Sequence, residues 1–104
     1  MTTPSSSFAD FQTEDRRLVL LRGLTSCAQY RSNALLLRRY CEAVAGHVAS
    51  VDRIEQDIAW LDEQGLVVRE RTHGITTATL TVRGLDVATG RASVPGVQKP
   101  QPGF

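Results

Sequence analysis

Two cysteines and two histidines are the side chains most able to bind a metal or to act as nucleophiles: Cys27, Cys41, His47 and His73. They form no close pair such as CxxC or HxxxH, the spacing on which protein metal sites are built. Motifs for phosphate loops, dinucleotides and activated serines are missing too. We therefore predict reduced thiols, no metal, no cofactor and no catalysis.

Recognition of DNA is the second chemistry to consider, because arginine and glutamine read base edges. Arg53 and Gln56 lie near the start of a predicted helix, where they suit guanine and adenine. Arg69, Arg71 and His73 alternate along a predicted strand and share one side of it. Such a basic strip suits phosphates or a minor groove. Two alternatives explain these residues nearly as well. Arg53 and Gln56 can simply solvate an exposed helix face, and the charges on the strand can keep an edge strand from aggregating.

The charge distribution weighs against DNA binding. The chain has a net charge of +1, whereas DNA-binding domains are usually clearly basic. Residues 13–46 carry six arginines and three acids, but residues 47–65 carry one arginine and five acids. Positive charge lies on both sides of this acidic segment. It comes from Arg38 and Arg39, which are predicted to face outward on the second helix, and from the arginines of residues 66–83.

Trp60 is predicted to point away from the core. It lies about 200° around the third helix from Ile58, the centre of the apolar face. Exposed tryptophans often mark protein interfaces, so we predict a protein interface at Trp60. The alternative is that the hairpin, the first helix or the tail covers it.

Three helices must position these residues. Helical spacing of leucines predicts the first helix over about 13–27. The second helix has an apolar stripe made of Leu36, Leu37, Tyr40, Cys41 and Val44. The third has Val51, Ile54, Ile58 and Leu61 on one face. The predicted N-caps are Thr13 for the first helix, Ser32 or Asn33 for the second, and Ser50 for the third. The second and third helices are predicted to end at Gly46 and Gly65.

The pattern then changes to β-branched residues. Residues 66–72 and 75–80 predict two strands joined by a two-residue turn at His73-Gly74. Thr81 caps a short last helix that Gly90 ends. We predict a flexible arm over 1–12, a domain over 13–90, and an extended proline- and glycine-rich tail over 91–104 with almost nothing to pack.

This order of elements predicts an α+β, mainly α, winged helix-turn-helix domain. The length of 104 residues suits one domain. The sequence has neither an apolar run long enough to span a membrane nor a secretory signal, so we predict the cytoplasm of a bacterial host cell.

Three stretches also carry a family resemblance: DIAWLDEQGLV, LTVRGLDVATGRA and VPGVQKP. From residue 20 to 102, about four-fifths of the chain, the sequence resembles small proteins of Mu-like phages and prophages, sometimes labelled ArsR-like regulators. The resemblance implies the winged-helix fold and a phage origin.

The leading hypothesis is a DNA-binding regulator or accessory factor of phage origin. The alternative is a protein-interaction module, used in phage assembly, packaging or control of a host protein, that keeps the fold without reading DNA. A homodimer is compatible with both, because two-fold DNA sites need two recognition helices.

Overall fold

The computed structural model describes residues 7–101, which form four α-helices and three strands. The mainly helical α+β class is confirmed, and the predicted helices and hairpin occur in the predicted order. The helices are α1 (Phe8–Thr25), α2 (Ala34–Ala45), α3 (Val51–Glu63) and α4 (Val82–Ala88). The strands are β1 (Arg31–Asn33), β2 (Val67–Thr72) and β3 (Ile75–Leu80), arranged as an antiparallel sheet in the order β1-β3-β2.

Three of the predicted helix caps are confirmed. The side chains of Asn33, Ser50 and Thr81 each accept a hydrogen bond from a backbone N–H in the first turn of α2, α3 and α4. Gly46 and Gly65 follow α2 and α3 with φ of +72° and +77°, a conformation that costs glycine little. Local side-chain chemistry therefore defines most of the helix ends.

Helix α1 begins earlier than predicted. Its N-cap is Ser7 and not Thr13: the Ser7 hydroxyl accepts from the Asp10 N–H, and the Asp10 carboxylate accepts from the Ser7 N–H. This capping box satisfies two backbone donors at once and starts α1 at Phe8, five residues before Thr13. The predicted flexible arm is therefore wrong for residues 8–12, and residues 1–6 lie outside the described residues.

Strand β1 was not predicted. It pairs with β3 in a register that places Arg31 opposite Thr79 and Asn33 opposite Thr77. Just before it, Gln29 and Tyr30 adopt φ of +58° and +57°, which turns the chain from α1 onto the edge of the sheet. Three residues are too few for a readable alternation of apolar and polar side chains.

The hairpin agrees with its prediction. Strand β2 pairs with β3 from Val67 opposite Leu80 to Thr72 opposite Ile75. His73 and Gly74 form the turn with φ of +53° and +76°, and positive φ at both positions matches the twist of the two strands.

Helix α1 is central to the core. Leu18, Leu20, Leu21 and Leu24 are all buried, since α1 contacts α2, α4 and β3. Arg16 of α1 is buried as well, and its guanidinium donates from Nε and Nη2 to the carboxylate of Asp57 on α3. Both the leucines and this ion pair therefore connect α1 to the rest of the fold.

Helix α2 packs through a narrower stripe than predicted. Leu37 and Cys41 are buried and Tyr40 is partly buried, but Leu36 and Val44 are more than half exposed. The prediction was wrong for these two because α2 lies at the surface of the domain, where α1 and α3 cover only one side of it.

Residues 91–101, which we call the C-terminal loop, contain no helix or strand but are not the extended tail predicted. Val94 and Val97 are buried. The loop is held to α1, because the Gln98 N–H donates to the Glu14 carbonyl. Apolar burial and hydrogen bonds together outweigh the extended preference of its prolines.

Candidate nucleic-acid interface

The N-terminal half of α3 exposes Arg53 and Gln56. The opposite face of α3 is fixed in the core by Ile54, Ile58 and Leu61. Because α3 is held along this face, the two polar side chains extend from a rigid base into solvent. Neither makes an ion pair or a side-chain hydrogen bond within residues 7–101.

The hairpin flanks α3. In the sheet register Arg69 is opposite Ala78 and Arg71 opposite Thr76, so both arginines lie on the face that carries buried residues. This register confirms the predicted shared side for Arg69 and Arg71, whereas His73 lies in the turn beyond the end of β2. A shallow groove of about 340 Å³ separates α3 from the hairpin, and its lining residues are Asp52, Glu55, Gln56, Ala59 and Arg69.

Arg71 is paired within the fold. Its Nη1 lies 3.0 Å from Glu55 Oε1 and donates to Thr76 Oγ1 at 3.2 Å. The predicted basic strip is therefore weaker than its sequence indicated. Arg69 is exposed with no ion pair in the described part of the chain, and His73 is exposed at the turn.

Of the two arginines of α2, only Arg39 faces outward as predicted. Arg38 is partly buried: its Nε atom is buried without a hydrogen-bond partner, and its Nη1 lies 3.8 Å from Glu42 Oε1. The Arg38 side chain is only 32% exposed, so most of it is withdrawn from solvent. Arg39 is thus the better candidate for contact with a ligand.

The acidic side chains of α3 are less available than the sequence indicated. Asp57 is buried against Arg16, and Glu55 is paired with Arg71. Asp62 accepts a hydrogen bond from the Arg69 N–H at 3.3 Å. Asp52 and Glu63 are exposed and make no ion pair within residues 7–101. The surface of α3 is therefore less negative than the count of acidic residues in α3 indicates.

Trp60 does not form the open surface predicted for it. The Arg17 guanidinium lies over the indole, 3.8 Å from the ring centroid, and Arg17 Nη1 donates to the Gly96 carbonyl at 3.0 Å. The alternative interpretation is the one that agrees with the structure, because α1 and the C-terminal loop cover Trp60. The angle around a helix could not reveal this, because the cover comes from residues distant in sequence. Burial lowers the pKa of Arg17, and the nearby Asp57 carboxylate opposes that shift.

The cysteines are single thiols. Cys41 is buried in the core, and burial raises its pKa to about 12. Cys27 is partly buried and lies 3.3 Å from the Gly23 carbonyl as a weak donor. Residues 7–101 hold no group of three or more potential metal ligands, and none of their helices is long and apolar enough to cross a membrane.

The pairing of Arg16 with Asp57 and of Arg71 with Glu55 was not predicted. Arg16 and Asp57 are 41 positions apart, and no periodicity links residues at that separation. The Arg71 pair joins a strand to a helix across the groove, which requires the tertiary arrangement.

Fold and site together define a small α+β domain that exposes arginine and glutamine between one helix and a hairpin. The sequence is 46% identical over 93 residues to the uncharacterized protein gp26 of Escherichia phage Mu, covering 89% of this chain and 95% of that protein. It is 37% identical over 84 residues to an uncharacterized protein of Haemophilus influenzae, covering 80% of each. The chain belongs to this family of Mu-like phage proteins. No family model and no solved structure matches it.

Proposed function

We propose that this protein is a winged helix-turn-helix domain that binds duplex DNA through the N-terminal half of α3, with the β2–β3 hairpin as its wing. The element order and the sheet order β1-β3-β2 support this assignment. In winged domains the third helix enters the major groove, and the wing contacts the backbone.

The observation that carries the proposal is the internal neutralisation of α3. Two of its carboxylates, on Asp57 and Glu55, are paired with arginines of α1 and β2. Phosphates approaching the N-terminal half of α3 would therefore meet Arg53 and the positive end of the helix dipole, opposed chiefly by Asp52.

Each contact residue has a separate role in this proposal. Arg53 pairs with guanine and Gln56 with adenine in the major groove. Arg69 and His73 contact phosphates from the wing, and Arg39 contacts them from α2. A protein acting in this way serves as a regulator, or as an accessory factor that places another protein on DNA, in the cytoplasm of a bacterial host.

Fluorescence anisotropy with random-sequence duplex DNA at about 50 and 200 mM salt tests the proposal. Binding should weaken steeply as salt rises. The Arg39→Ala/Arg69→Ala variant should reduce the slope of log K against log salt by about 2, since each lost phosphate contact reduces it by about 1. Arg53→Ala, which removes a base contact, should leave this slope nearly unchanged, so an equal reduction in Arg53→Ala would assign Arg53 to phosphates.

Arg91→Ala is the matched control. Arg91 is exposed on the C-terminal loop and makes no ion pair within the described residues. Arg91→Ala therefore removes one exposed positive charge, as does each Arg→Ala substitution at the proposed interface. An equal loss of affinity in the control would mean that only overall charge matters. Lack of DNA binding by the folded protein at 50 mM salt would refute the proposal.

The second candidate is a protein-interaction module. It is favoured by an apolar cleft of about 140 Å³ between the N-terminal ends of α2 and α3 and the hairpin turn. Leu35 and Ile75, both more than half exposed, line this cleft with Val51 and Glu55. Apolar side chains gain little from phosphates but provide anchor sites for a protein. Lack of DNA binding at low salt selects this candidate.

A further inference from the structure

The first turns of α1 extend beyond the body of the domain. Every residue from Ser7 to Gln12 is exposed, and Phe8 and Phe11 are 75% and 53% exposed. The capping box of Ser7 and Asp10 holds this segment helical. An exposed pair of phenylalanines on an ordered helix leaves a large apolar area in water.

Two valines of the α2–α3 region extend the same surface. Asp15 lies one turn after Phe11, and its carboxylate is 2.7 Å from His47 Nε2. Val48, 82% exposed, directly follows His47, and Val44, 58% exposed, lies one turn before it. We call Phe8, Phe11, Val44 and Val48 the α1–α2 patch.

We propose that the α1–α2 patch is the contact surface between two copies of this chain in a symmetric dimer. A two-fold axis brings the same patch together from both copies, so a surface must complement itself. The phenylalanines protrude on α1, and the contact between Asp15 and His47 connects this part of α1 to the segment that carries the two valines. The phenylalanines of one copy can therefore pack on the valines of the other, and the reverse contact follows by symmetry.

The exposed area is suited to such a pair. Given the exposed fractions of Phe8 and Phe11, two copies would cover about 500 Å² of phenylalanine surface. That is more than a third of the roughly 1,200 Å² at the lower end of stable interfaces. Val44 and Val48 add to this area, and polar residues around the patch supply the remainder, so the patch is suited to a weak dimer that forms at high protein concentration.

The charges around the patch also permit self-association. A two-fold axis brings like charges together, which is unfavourable unless each has its own partner. The Asp10 carboxylate accepts from the Ser7 N–H, and the Asp15 carboxylate contacts His47. Two of the acids close in sequence to the phenylalanines are thus already bound within one copy.

Sedimentation equilibrium of the full chain, from about 5 to 200 µM, tests the dimer. Wild-type protein should dimerise, and Phe8→Glu/Phe11→Glu should raise the dissociation constant at least about 10-fold, because it places four carboxylates in the contact. The control is Val68→Glu/Val82→Glu, which introduces the same charge at two other exposed apolar residues. It should dimerise like wild type, and circular dichroism should show all three proteins equally folded.

A wild-type protein that is monomeric at about 200 µM would overturn the proposal. So would a Phe8→Glu/Phe11→Glu variant that dimerises normally, since the contact would then lie elsewhere. The result is independent of DNA binding, because the measurement contains no DNA.

Discussion

Replacing Asp57 with asparagine should strongly destabilise the fold. The Asp57 carboxylate is buried, accepts two hydrogen bonds from Arg16, and lies 3.9 Å from Arg17 Nε. The substitution preserves shape but removes the charge that compensates two partly or fully buried guanidinium groups. Breaking a buried pair in this way costs about 3–5 kcal/mol, because a buried charge is left without a partner.

That cost is a large part of the total stability of a domain of this size, which is about 5–15 kcal/mol. The melting temperature should fall by roughly 12–40 °C, since each kcal/mol lowers it by roughly 4–8 °C. Urea unfolding followed by circular dichroism gives the free energy of unfolding directly. Glu63→Gln is the matched control, an exposed acid on the same helix, and should change stability by no more than about 0.5 kcal/mol.

A second variant separates lost charge compensation from lost packing. Arg16→Met/Asp57→Leu removes both charges and should recover most of the stability that Asp57→Asn loses, since an apolar pair avoids desolvation. If Asp57→Asn unfolds within about 1 kcal/mol of wild type, the carboxylate is not compensating buried charge and the reasoning is wrong.

Two other predictions concern the C-terminal loop and the buried thiol. Gly96→Ala should destabilise the protein by about 1–3 kcal/mol and change its tryptophan fluorescence. The reason is that Gly96 has φ of +99° and that a Cβ there would lie 2.7 Å from the Trp60 ring. Ser93→Ala, on the exposed part of the same loop, is the control and should change neither stability nor fluorescence. Burial raises the pKa of the Cys41 thiol from about 9 to about 12. The unfolded chain therefore loses this proton at lower pH than the folded chain, so the free energy of unfolding should fall as pH rises from 9 towards 12. Unfolding of Cys41→Ala across that pH range should lose this contribution while Cys27→Ala retains it, and equal pH dependence in both variants would contradict the assignment.

The features predicted correctly from sequence are local ones. Asn33, Ser50 and Thr81 cap helices through backbone groups a few residues away, so their chemistry is readable in a short window. The His73-Gly74 turn is similar, because two adjacent residues determine the hairpin geometry. The capping box of α1 was equally local and could have been found from the serine three positions before Asp10.

The features missed depend on contacts between distant segments. Strand β1 exists because β3 offers it an edge, and its three residues carry no pattern of their own. A helical projection places Trp60 away from the core, but Gly96 and Arg17 cover it. For the candidate site, Arg53 and Gln56 were placed correctly on an exposed helix face, whereas the pairing of Arg71 required knowing how the hairpin lies against α3.

The bond from Arg17 to the Gly96 carbonyl also bears on how the protein forms during translation. The two residues are separated by 79 positions, so α1 leaves the ribosome long before its last partner is made. Until Gly96 emerges, the indole of Trp60 lacks part of its cover and Val94 and Val97 are not yet in place. Native packing around α1 should therefore be completed late in synthesis, and a nascent chain tethered so that residue 90 has left the ribosome but Gly96 has not should have its Trp60 open to quenchers.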